Sequence, residues 1–159
     1  MSDLVLRPLM PEDAGEARAC VSAQLAGTRY LARAREQLDI ALRFDDPEYM
    51  ALLATTEDDV PLRGLVLFGT VAGARAVVKV HYVHGRELAD AIALLQAVQA
   101  ASEHSRERLI VCELPDDEPF ARVADALITA GYSEEGRVPD FIRDGIALRL
   151  LCVRLVAPG

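Results

Sequence analysis

The chain has 159 residues, a formal net charge of −8 and 52% hydrophobic residues. This length suits about one domain with a buried core, and the hydrophobic share excludes a disordered segment. The acidic balance, with no basic stripe, excludes nucleic acid and anionic membrane as expected partners but would not repel a cationic small molecule.

No apolar run approaches the ~20 residues that span a bilayer. The opening MSDLVLRPLMPED has no basic segment followed by an apolar one, so a cytoplasmic location is expected. Cys20, Cys112 and Cys152 are far apart and lack CxxC spacing, and they read as reduced, buried small hydrophobes. The chain contains no Asn and hence no N-glycosylation acceptor.

LVLRPL (4–9) is a short β-like run, and a helix is predicted over 11–25. Pro11 suits its first turn, Glu12 and Asp13 complement the helix dipole, and Ala14, Ala17, Val21 and Leu25 recur at helical spacing. A second helix over 30–44 carries Leu31, Ala34, Leu38, Ala41 and Leu42 on one face. Three strands follow at 49–56, 62–73 and 76–83, the first ending at the acidic turn Glu57-Asp58-Asp59. Their short connections predict an antiparallel meander. Residues 87–102 form the strongest helical pattern, with Leu88, Ile92, Leu95 and Val98 inward. RLIVCEL (108–114) reads as a buried strand, and a helix over 119–130 is expected to end at Gly131 as its C-cap. SEEGRVPDFIRDG is loop-rich, a loop or weak strand, and IALRLLCVRL (146–155) is a final strand.

This order is β-α-α-β-β-β-α-β-α-(β)-β. The β-α-β from 76 to 114 wants a parallel crossover, whereas the preceding meander is antiparallel. The expected fold is therefore α/β (α+β), a mixed, mostly antiparallel sheet of six or seven strands with helices on both faces. No repeat, low-complexity linker or break divides the chain, so 1–159 is expected to be a single domain.

The phrase from Arg7 to Asp13, the strand-loop-helix at 76–100, Gly131-Tyr132 and the tail EEGRVPDFIRDGIALRLL occur here in order. With the element order, they resemble the GNAT N-acetyltransferase superfamily over nearly the whole chain. In that family a Q/R-x-x-G-x-G/A loop opens the third helix, and its backbone N–H groups hold the pyrophosphate of acetyl-CoA. The physical basis is general, since unpaired amides at a positive helix end meet a dianion. The resemblance places Arg86, Glu87, Leu88, Ala89, Asp90 and Ala91 on this loop. Arg86 and Ala91 match it, Ala89 replaces a glycine, and Glu87 and Asp90 bring negative charge towards the phosphates. The backbone around Tyr82 and Val83 would hold the rest of the donor.

The resemblance also implies direct acetyl transfer to an amine. Two family groups are missing: the helix tyrosine, whose position is Leu127, and an Asn after the fifth strand. Tyr132 falls at a position where the ring packs inward. Alternation on the strand puts Lys79 and His81 on one face and Val80 and Tyr82 on the other. His81 has a suitable pKa for a general base, or is a hydrogen-bonded structural histidine. Glu113 closes the next strand as a base or as a solvated carboxylate. Lys79, the chain's single lysine, can pair with an acid across the sheet. His81 and His84 point to opposite faces, so no shared metal is expected.

Two readings follow. The first is an acetyl-CoA-dependent N-acetyltransferase acting on a small amine or a peptide amino terminus, its acceptor set by residues 25–45 and 133–145. The second is a non-catalytic binding or assembly module of the same fold. If the apolar final strand is a sheet edge, its need for cover also makes a homodimer plausible.

Overall fold

The computed structural model describes residues 3–56 and 62–155, and the expected turn Glu57-Asp58-Asp59 lies outside them. Along the chain run β1 (Leu4–Pro8), a 3-10 turn (Pro11–Asp13), α1 (Ala14–Gln24), α2 (Leu31–Ala41), β2 (Met50–Thr56) and β3 (Gly64–Thr70). Then follow β4 (Val77–Gly85), α3 (Leu88–His104), β5 (Leu109–Pro115), α4 (Phe120–Thr129), β6 (Ser133–Arg143) and β7 (Ile146–Arg154). The seven strands form one sheet in the order β1-β2-β3-β4-β5-β7-β6. Every neighbouring pair is antiparallel except β4 and β5.

The phrase RPLMPED has a structural role at the entry to α1. Arg7 grips Asp13 through two hydrogen bonds of 2.7 and 2.8 Å, and Asp13 also accepts the Met10 amide at 2.9 Å. The guanidinium holds the Asp13 carboxyl below its ordinary pKa. The helices then bury their apolar stripes: Ala17 and Val21 from α1, Ala34 and Leu38 from α2, Leu94 and Val98 from α3, and Val123 and Leu127 from α4.

β6 is an 11-residue strand, one of the two alternatives, loop or weak strand, that the sequence left open. Its register with β7 breaks between Glu134 and Gly136 and again between Val138 and Arg143, which erases a clean alternation. As an edge strand it tolerates Pro139. One expectation changes at β7, which lies between β5 and β6. The final strand is therefore no edge, and the argument for self-association through it falls.

β4 departs from simple alternation. Leu67 opposes Tyr82, but the next residue, Phe68, opposes Val80, so His81 is an extra residue bulged out of the ladder. The bulge reverses the pleat. Val80 and Tyr82, expected on one face, lie on opposite faces with Phe68 and Leu67 respectively. The Gly64–Gly85 cross-strand pair faces α3: a β-carbon on Gly85 would lie 2.4 Å from the Ala91 amide nitrogen, and one on Gly64 would lie 2.9 Å from a Leu94 methyl. On the opposite face Tyr82 meets Cys20 of α1 at 3.8 Å. Helices thus cover both faces.

Candidate functional site

Glycine at 85 lets the first turn of α3 sit directly against the end of β4, which fixes where the opening amides of the helix point. Each can be accounted for. The Arg86 amide donates to the Arg63 carbonyl at 2.8 Å, and the Glu87 amide to the Asp90 carboxylate at 3.1 Å. The Asp90 and Ala91 amides both turn back to the Glu87 carbonyl, at 3.0 and 3.4 Å. Leu88 and Ala89 are the two amides of residues 86–91 with no partner among the described residues, and both residues are exposed.

Asp90 does not face outward, contrary to the charge expected of it. It is buried, and Arg63 meets it at 3.1 Å. The same carboxylate oxygen meets Arg63 and caps the Glu87 amide, so Asp90 stays at the helix end with its charge paired. Glu87 stays exposed, as does Arg86, whose guanidinium has no hydrogen bond or ion pair among the described residues. The Gly85–Ala91 turn and the start of α4, including Phe120 and Arg122, enclose a cleft of about 80 Å³.

The β4–β5 pairing runs from Val77↔Leu109 to Val80↔Cys112 and then stops, so the strands separate at the bulge. Tyr82 meets Phe120 edge-on at 6.1 Å, and the Tyr30 hydroxyl donates to the His81 carbonyl at 2.9 Å. Tyr82 and Val83 are both buried.

On the α1–α2 face the structure gathers a polar cluster. Lys79 pairs with Glu113 at 2.8 Å across β4 and β5, as the lysine's sequence position allowed. Their side chains are 19% and 14% exposed, so Glu113 is paired rather than freely solvated. His81 is buried, its Nε2 lies 3.0 Å from the Glu48 carbonyl, and its ring stacks on Tyr49 at 5.1 Å. A carbonyl only accepts, so Nε2 carries the proton and Nδ1 the lone pair. Nδ1 is buried and has no partner among the described residues. Burial lowers the His81 pKa, with the Lys79 charge acting in the same direction and the Glu48 hydrogen bond opposing it. The ring is therefore neutral at pH 7. Gly69 makes this arrangement possible, because a β-carbon there would lie 2.1 Å from the same Glu48 carbonyl oxygen.

The two segments expected to set the acceptor meet beside this cluster. The Arg29 amide donates to the Ile142 carbonyl at 2.8 Å, Arg29 pairs with Asp144 at 2.8 Å, and Tyr30 packs on Phe141 at 6.4 Å. Leu127 is buried and lines a cleft of about 390 Å³ between α3 and α4 with Ile92 and Tyr132. Burial pushes the Cys112 thiol well up, which leaves it unreactive. Tyr30, Arg63 and the Glu48 carbonyl were missed from sequence. Tyr30 and Arg63 carry no motif, and a backbone carbonyl has no signature at all.

No protein-family profile matches the chain, and no curated protein sequence does. Solved structures do. A Desulfovibrio desulfuricans protein assigned to the GNAT acetyltransferase family superposes with a TM-score of 0.77 at 21% identity, covering 97% of this chain and 100% of its own. The ribosomal-protein-S18-alanine N-acetyltransferase of Escherichia coli gives 0.73 at 10%, covering 99% and 97%. A Salmonella typhimurium protein of the acetyltransferase class, solved with its cofactor acetyl-CoA, gives 0.73 at 14%, also covering 99% and 97%. The chain therefore has the fold of the GNAT acetyltransferases.

Proposed function

We propose that the protein is an acetyl-CoA-dependent N-acetyltransferase that passes the acetyl group directly to a small amine or a peptide amino terminus. The observation that carries this reading is His81: a neutral, buried imidazole whose proton is committed to Glu48 and whose Nδ1 lone pair is uncommitted. It sits on a bulge where two parallel strands part. In this role Nδ1 takes the proton that the amine loses as it attacks. Lys79 and Glu113 pair across β4 and β5 on the same face as the imidazole.

Acetyl-CoA would supply the thioester carbonyl that the amine attacks; the C–N bond forms as the C–S bond breaks, and coenzyme A would leave as the thiol with the proton given up by the amine. The outward amides of Leu88 and Ala89, the Arg86 guanidinium and the positive end of α3 would hold its pyrophosphate. Arg86 fits this group in type, whereas Asp90, though paired with Arg63, caps the Glu87 amide at the same helix end, and Glu87 adds a second acid there. Neighbours of the same fold include a protein solved with acetyl-CoA and an amino-terminal acetyltransferase, which supports both the donor and the acceptor class.

The second reading is a non-catalytic binding or assembly module. The 80 Å³ cleft favours it, being smaller than the roughly 300 Å³ at which ligand sites begin. Titration with acetyl-CoA followed by thermal unfolding separates the two. Ligand at a thousandfold excess over Kd adds about 4 kcal/mol of stability. A rise in melting temperature that Arg86→Glu weakens supports the transferase. No rise at millimolar acetyl-CoA leaves the binding module.

A further inference from the structure

The two outer strands of the sheet, β1 and β6, meet solvent differently. β6 carries the features that keep an edge from pairing: its register with β7 breaks twice, it contains Pro139, and Glu134, Glu135, Arg137 and Asp140 charge it. β1 has no such guard along most of its length. Its register with β2 runs without a break from Leu4 to Pro8, and Leu4, Val5 and Leu6 are 36, 36 and 37% exposed. A regular, exposed, apolar edge is a template for another strand.

The backbone fixes which groups this edge offers. The Leu9 amide donates to the Ala51 carbonyl, and in an antiparallel ladder hydrogen-bonded pairs recur at every second residue. Arg7 and Val5 therefore bond inward to β2, and the N–H and C=O groups of Leu4 and Leu6 point outward. Pro8 closes the far end, since it has no N–H and its carbonyl accepts the Arg7 guanidinium at 3.3 Å.

The sequence along the edge, Asp3-Leu4-Val5-Leu6-Arg7, is symmetric about Val5 in both apolar character and charge. Antiparallel pairing with an identical strand, around a two-fold axis at Val5, sets Leu4 opposite Leu6 of the second copy. Each such pair exchanges two hydrogen bonds, which satisfies every outward group of Leu4 and Leu6 in both copies. The exposed Asp3 falls opposite Arg7 of the second copy, so opposite charges meet on both sides of the axis. Arg7 holds Asp13 and is still 35% exposed, and a guanidinium has donors for a second carboxylate. Moving the axis to Leu6 would set Pro8 against Leu4 and lose a donor in each copy.

We propose that β1 is a self-association edge, through which two copies of this chain join their sheets into one. Its charge-complementary symmetry selects a second copy over an unrelated strand. In the sheet order β1-β2-β3-β4 the joint lies well away from His81, so the candidate site stays open, and the proposal does not rest on the transferase reading. One edge is a small interface beside the roughly 800 Å² per partner of standard complexes, so the dimer is expected to form with a Kd of about 10–100 µM.

Sedimentation equilibrium of the full chain from about 1 to 300 µM should show the mass rising from one copy towards two. Amide exchange followed by NMR over the same range should slow several-fold at Leu4 and Leu6, while Val5 and Arg7, already bonded to β2, stay unchanged. Val5→Lys sets like charges together at the axis, and Asp3→Arg sets two guanidinium groups face to face on each side of it. Each should weaken the dimer about tenfold or more, because the two-fold axis counts every change twice. Both positions are exposed, so the fold is kept, which an unchanged melting temperature at about 1 µM verifies. A chain that stays monomeric throughout overturns the proposal. So does a dimer of full strength in Val5→Lys, or one whose concentration-dependent protection lies on other strands.

Discussion

Gly85→Ala tests the packing on which the candidate cofactor end depends. The new methyl would lie 2.4 Å from the Ala91 amide nitrogen and 2.7 Å from the Glu87 carbonyl oxygen, both backbone atoms that cannot rotate away. Relief requires the first turn of α3 to retreat by roughly 1 Å, given that carbon contacts settle near 3.5 Å. Ala91 and Leu94, 1% and 0% exposed, would lose contacts in that retreat. Overpacking of this kind costs about 2–3 kcal/mol, which for a chain of this length lowers the melting temperature by about 4–12 °C. Gly15→Ala is the control, because a methyl there meets nothing within 4 Å and the position is helical. It should raise stability by up to about 1 kcal/mol. Thermal denaturation of both variants reads these opposite signs directly. A Gly85→Ala protein melting within about 2 °C of the parent would refute the account of how α3 is seated, and the outward aim of the Leu88 and Ala89 amides would go with it.

Lys79→Met should cost about 3 kcal/mol, the low end for a buried pair because both side chains keep some solvent, by stranding the Glu113 carboxylate. Lys79→Met with Glu113→Leu should recover most of that loss in urea unfolding, and additive losses would show that the pair is not coupled. Burial lowers the pKa of both His81 and His84, so the unfolded chain takes up protons first as pH falls below about 6.5. Stability is expected to decline from that pH down to the folded-state pKa values. His81→Gln with His84→Gln should flatten this limb in denaturation curves recorded across roughly pH 5–7, where histidine titrates. Gly69→Ala should displace the Glu48 carbonyl and free the His81 Nε2 proton, visible as a changed imidazole nitrogen shift and tautomer. An unchanged shift would show that Glu48 does not hold the ring.

Much of the scaffold was legible because it follows from periodicity. The apolar repeats of α1, α2, α3 and α4 and the β-branched runs of the strands are local signals, and each element forms within a few residues of its expected place. The Lys79–Glu113 pair was legible in part, since a lone lysine in a buried strand needs a counter-charge. β6 was legible only as a loop or weak strand, because its irregular pairing with β7 and its Pro139 remove the alternation that marks a strand. The site was less legible still. The sequence placed His81 on β4 but implied a regular pleat, which put Val80 and Tyr82 together.

The sequence by itself determined which segments are helices and strands, that they bury one continuous core, and that an arginine and two acids open α3. Only the tertiary structure decided what those groups do. One bulged residue reversed the faces of β4, and Arg63, just before β3, pairs with the buried Asp90. Glu48, 33 residues away, chose which His81 nitrogen is protonated. The reason is that period and propensity are properties of consecutive residues, whereas charge pairing, tautomer and burial depend on atoms brought together across the sheet.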